Sequence, residues 1–194
     1  MRQRVTELPA GYRQYLTIDL QKDKKTALKV NLWGAAIGVV LLVIGWLVVT
    51  PASLFDMQGG LGAYVLRFAV IMAGLLAYVV LHELTHAAVM KHYGSEKVRF
   101  GFTGMYAYAG SEADYFGKKP YAVIALAPLA VWTLILTPVC FLVPQDWFWV
   151  VWLIEITHLS GCIGDIYVTL RLRCEPEDIY VMDTGVKMTV FGKK

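Results

Sequence analysis

The sequence predicts a mainly α integral membrane protein, with four transmembrane helices and one or two small β-hairpins on the cytosolic side. Three observations lead there. Of the 194 residues, 57% are hydrophobic and only 17% charged, more apolar surface than a water-soluble domain of this length needs to bury. Several apolar runs are long enough to cross a hydrocarbon core of about 30 Å. Lys and Arg gather in some connecting segments and are absent from others, the bias expected of a multi-pass chain.

Residues 1–29 are polar and basic, with Arg2, Arg4, Arg13, Lys22, Lys24, Lys25 and Lys29. They read as a cytosolic lead-in, and the first apolar run begins too late for a cleaved signal peptide. Span one covers 30–49, with Trp33 and Trp46 near its ends as interface anchors. Gly34, Gly38 and Gly45 are small positions where another helix can approach. A turn-like loop over 51–60 carries Asp56 and no Lys or Arg. Span two follows over 61–90. Arg67 lies in its first part and is expected to snorkel to the outer interface, with the crossing starting near Phe68.

The loop from Lys91 to Lys119 holds Val98–Phe102 and Met105–Ala109 around Thr103-Gly104. Aromatic alternation and the glycine predict a β-hairpin over 98–109, beside the end of span two. Pro120 suits the first residue of a helix, and span three covers 121–143 with kinks at Pro128 and Pro138. Pro144-Gln145-Asp146 is a turn, again without Lys or Arg. Span four covers 147–170 and opens on Trp147, Phe148, Trp149 and Trp152. The tail, 172–194, has a second hairpin pattern around Asp183-Thr184-Gly185. The Lys and Arg distribution places both termini in the cytosol, and the expected location is the cell's inner (plasma) membrane. The part over 30–171 is then the membrane domain. Cys140, Cys162 and Cys174 show no CxxC spacing and read as free thiols. The formal charge of +3 is modest, and no stretch reads as a nucleic-acid platform.

Within span two the chain reads His82-Glu83-Leu84-Thr85-His86. Positions i and i+4 share a helix face, so both imidazoles reach one metal, and Glu83 is placed to take a proton from water there. This is the zincin spacing. Ionisable groups inside an apolar span are costly unless they bind something, face water or pair. A catalytic zinc takes three protein ligands, and span four offers Glu155, His158 and Asp165. Measured from Phe68 at a rise of about 1.5 Å per residue, His82 and His86 lie about 21–27 Å down. From Trp147, Asp165 lies about 27 Å down, His158 about 16 Å and Glu155 about 12 Å. Depth therefore selects Asp165 as the third ligand. Gly161 and Gly164 offer close approach for span two. Two roles stay open for His158 and Glu155: accessory groups toward substrate or water, or a polar pair between helices. His92 is expected at the interface without a role.

The Leu8-Pro9-Ala10-Gly11-Tyr12 lead-in, His82-Glu83-x-x-His86, the late Gly164-Asp165 and the Asp183-Thr184-Gly185 tail resemble a family of small bacterial membrane proteins catalogued as zincin peptidases. That family is distantly similar to the site-2 intramembrane metalloproteases, whose third zinc ligand is an Asp in a later span, the place Asp165 takes. The site-2 motif carries Asp-Gly after a proline-containing lead, whereas this chain has Gly164-Asp165. The resemblance implies a zinc-dependent, membrane-embedded peptidase with one Zn²⁺ per chain, held by His82, His86 and Asp165, with Glu83 as base. It would cut membrane proteins or peptides near the cytosolic face, and the 98–109 hairpin could receive the substrate as an added strand. The alternative is a non-proteolytic metal-binding membrane protein, an ion carrier or sensor.

Overall fold

The computed structural model describes residues 4–104 and 106–193; Met105, within the expected hairpin, lies outside them. In chain order the elements are β1 (Arg4–Val5), β2 (Arg13–Ile18), α1 (Lys24–Val48), a 3-10 helix (Pro51–Phe55), α2 (Gly60–His92), β3 (Arg99–Phe102), β4 (Ala107–Gly110), β5 (Tyr115–Gly117), α3 (Lys118–Leu142), α4 (Gln145–Gly161), α5 (Ile163–Arg173), β6 (Tyr180–Asp183) and β7 (Met188–Gly192). Among the described residues, four helical stretches are long and apolar enough to cross a membrane: α1, α2, α3, and α4 with α5. The chain divides into two compact units. One takes its described residues from the segments up to Val30, His82–Pro128 and Gly164 onward; the other comprises Asn31–Leu81 and Leu129–Ile163.

The first unit is built on an antiparallel five-stranded sheet in the order β1-β5-β6-β7-β2. The lead-in and the tail, separate in sequence, are thus partners in one sheet: Arg13–Ile18 pairs along Met188–Gly192. Its inward side chains, Phe116, Val181 and Val190, are fully buried and pack with Met90, Ile124 and Leu172 from the helix ends. The 98–109 hairpin forms as β3 and β4, in register Phe100 to Ala109. Asp23 caps α1 by accepting the Thr26 N–H at 3.1 Å. α2 stops at a glycine: Gly94 has φ +95°, Ser95 N donates to Met90 O and Gly94 N to Lys91 O. These are the paired bonds of a Schellman end.

The second unit is helical. Trp149 and Trp152 are buried with Phe148, and their indole N–H groups donate to Val49 O at 3.1 Å and Leu41 O at 3.0 Å. α1 admits them where it lacks side chains: a Cβ on Gly45 would lie 2.2 Å from Trp152 Nε1, and one on Gly34 would lie 2.9 Å from Ser160 O. Gly38 has looser contacts, from 3.8 Å. Side chains such as Leu47, Leu134 and Leu142 are more than three-quarters exposed.

Four expectations are corrected here. Span four is interrupted at one residue, Cys162: α4 ends at Gly161 and α5 begins at Ile163. A Cβ on Gly161 or Gly164 would meet nothing within 4 Å, so these glycines do not admit a neighbouring helix; they are weak helix formers flanking the break. Arg67 does not snorkel. It is 2% exposed, donating to Asp56 O at 2.7 Å and pairing with Asp146 at 3.1 Å, because loop carbonyls and a carboxylate take its two terminal nitrogens within the protein. Pro120 is not the first helical residue, since α3 starts two residues earlier, but it still falls in the turn whose N–H groups have no helical acceptor.

In the first unit, buried Asp114 accepts from Arg4 Nε at 2.5 Å, from Ser111 Oγ at 2.6 Å and from Ser95 Oγ. Burial pushes its carboxyl up, but the hydrogen bonds from Ser111, Ser95 and Arg4 outweigh that and hold it below the usual carboxylate range. A folded-state value below the unfolded one stabilises the protein above about pH 3.9, and that contribution is lost as pH falls through the folded value. Asp114→Asn should cost about 1.5–3 kcal/mol at neutral pH. In denaturation of the detergent-solubilised protein, its difference from wild type should shrink at acid pH.

Candidate metal centre

The His-Glu-x-x-His segment lies on the last turns of α2, and one helical turn brings the two imidazoles together. Their ring centroids are 4.9 Å apart and their Nε2 atoms 3.2 Å apart. Asp165 comes from another part of the chain. Helix α5 restarts at Ile163 and carries Asp165 in its first turn. Its carboxylate oxygens lie 3.4 Å from His82 Nε2 and 3.6 Å from His86 Nε2. One donor atom from each residue lies within 4.8 Å of the others.

These separations fit a metal ion. Zinc bonds to imidazole nitrogen and carboxylate oxygen are about 2.0–2.2 Å, so the edges of a tetrahedral site are about 3.3–3.6 Å. The donor chemistry fits as well. His86 Nδ1 lies 2.9 Å from the Ile124 carbonyl oxygen. A carbonyl only accepts, so Nδ1 carries the proton and Nε2 of the neutral ring presents its lone pair to the cluster. Two nitrogens and a carboxylate converging in a mostly buried place form a set that suits zinc.

Glu83 is also in the first unit. The backbone N–H of Ala109 in β4 lies close enough to its carboxyl to favour the charged form. The hairpin register accounts for this. Thr103 N donates to Tyr106 O, so antiparallel alternation turns the N–H and C=O groups of Ala107 and Ala109 away from β3. β4 is held from the tail. Ser111 N donates to Asp183 O at 2.7 Å, and a Cβ on Gly110 would lie 2.2 Å from the Thr184 carbonyl carbon. Asp183 accepts from Tyr121 Oη at 2.5 Å and from Gly185 N at 2.7 Å. Burial raises its carboxyl against those bonds.

Glu155 and His158 are in the helical unit, each with partners there. Thr137 Oγ1 donates to Glu155 Oε1 at 2.5 Å. His158 lies between Thr133 Oγ1 at 3.0 Å and Tyr78 Oη at 2.9 Å, with Cys162 Sγ at 3.5 Å. His92 packs its ring on Tyr93. Sequence reading missed Ile124 and Ala109 because they act through the backbone, which residue identity does not advertise. It missed Tyr121 because an aromatic residue in an apolar helix reads as core.

The family model described as "Putative zincin peptidase" matches residues 75–180, which include both histidines, Glu83 and Asp165. No curated protein and no solved structure matches the chain. The protein purified with zinc supplied should carry one ion per chain, measured by elemental analysis. His86→Ala and Asp165→Ala should each lose it. Full retention in Asp165→Ala would remove the carboxylate from the ligand set.

Proposed function

The chain belongs to the "Putative zincin peptidase" family, and from that membership we propose a zinc-dependent, membrane-embedded peptidase that hydrolyses peptide bonds of membrane-associated proteins near the cytosolic face. The observation that carries the reading is the convergence of donor atoms of His82, His86 and Asp165 within 4.8 Å of one another, with Glu83 one residue from the first of them. Four apolar helices and outward-facing leucines support a bilayer environment. The Lys- and Arg-free 51–60 and 144–146 segments support cytosolic termini.

His82, His86 and Asp165 would hold the zinc, which when bound supplies Lewis acidity and lowers the pKa of a water molecule. Glu83 accepts a proton at its carboxylate from the attacking water and returns it to the leaving amine. The Ala109 N–H orients that carboxylate from the β4 side. The outward N–H and C=O of Ala107 and the C=O of Ala109 form a backbone edge against which an extended substrate pairs. A helical substrate has its peptide groups occupied by its own hydrogen bonds, so it must unwind before it can lie along that edge.

Glu83→Gln should keep the metal and lose cleavage of a membrane substrate by at least about 100-fold, the scale of a general base. Full function with bound metal in Glu83→Gln would favour the non-proteolytic reading, a carrier or sensor built on the same ligands. Ala107→Pro removes one edge N–H. It should raise KM by about tenfold, one hydrogen bond's worth, with metal content unchanged.

A further inference from the structure

The carbonyl that accepts the His86 Nδ1–H hydrogen bond is one that has no α-helical i+4 donor. In an α-helix, the oxygen of residue i accepts from the N–H of residue i+4. For Ile124 that residue is Pro128, which has no N–H and whose ring crowds the carbonyl four residues earlier, tilting it outward. Ile124 is 1% exposed, so its oxygen has to find a partner inside the protein. It finds His86 Nδ1 at 2.9 Å, in a buried contact. The other prolines of α3 are placed differently. Pro120 is in the first turn, where residue i−4 is Phe116 of β5. Pro138 stands four residues after Leu134, whose side chain is 77% exposed.

We propose that Pro128 is a positioning residue of the metal centre. By withholding an N–H from Ile124, it reserves that carbonyl for His86 Nδ1–H, and so fixes the tautomer and ring direction that aim Nε2 at His82 and Asp165. The requirement is mutual. The carbonyl needs a donor, and the imidazole needs an acceptor on the side away from the metal. Replacing Pro128 by a residue with an N–H gives the carbonyl a competing partner within its own helix and removes the ring that turns it outward.

The inference rests on the zinc reading for its affinity test only; the tautomer is a property of the metal-free protein. Pro128→Ala should bind zinc about tenfold more weakly in chelator competition, the scale of lost outer-shell support. Its metal-free thermal midpoint should stay level or rise, because α3 regains a helical hydrogen bond. Pro138→Ala should leave zinc affinity unchanged. A purely structural role predicts the opposite pairing, a lower midpoint with unaltered affinity, and would overturn the proposal. So would equal weakening in Pro138→Ala. In ¹⁵N-histidine NMR of the metal-free wild type, at alkaline pH where the ring is neutral, His86 should be the Nδ1–H tautomer and should become mixed in Pro128→Ala. An Nε2–H tautomer in the wild type would overturn the proposal whether or not the variant folds. Absence of zinc binding in the wild type would remove the zinc reading while leaving the tautomer result to stand on its own.

Discussion

Three Lewis-basic atoms that do not attract one another are held together on apolar helices, and the first unit is arranged around that constraint. Two imidazole nitrogens 3.2 Å apart and a carboxylate within 3.6 Å of both gain little from each other unless a proton or cation lies among them. Their convergence therefore has to come from the scaffold. α2 supplies two donors by its own periodicity. Asp165 meets them from the first turn of α5. The Schellman turn at Gly94 ends α2 two turns beyond His86.

The five-stranded sheet serves the same end from the other side of the sequence. Its core of Phe116, Val181, Val190, Met90, Ile124 and Leu172 ties the end of α2, the start of α3 and α5 to strands from both termini. The tail turn at Asp183–Gly185 reaches two supports of the site: α3 through Tyr121, and β4 through Ser111 and the close approach at Gly110. The family match ends at residue 180, so part of this support is supplied by residues outside the matched segment.

The helical unit solves a different problem with different chemistry. Its polar side chains, Glu155, His158 and Arg67, are each met by hydroxyls, carbonyls or a carboxylate of the same unit. Its glycines let indoles reach α1 carbonyls. Polar residues in this unit are thus bound as helix-to-helix and loop contacts, whereas in the first unit the side chains at the cluster converge with lone pairs toward one point.

What depends on neighbours in sequence was legible. The four apolar runs, both hairpins and the i, i+4 relation of His82 and His86 follow from local periodicity. Counting helix rise brought Asp165 to the depth of the histidines, although the helix carrying it proved to be broken. That break was hidden because a hydropathy run does not register an interruption at a single residue. Arg67 was misjudged because its partners are the backbone of a loop and an acid far along the chain. The pairing of the lead-in with the tail, the Ala109 N–H at Glu83 and the Ile124 carbonyl at His86 were decided only by tertiary structure. The reason is physical. Side-chain identity and spacing determine what a helix or strand can present, but backbone groups are alike at nearly every residue, and only the packing of distant segments selects which of them meets a given side chain.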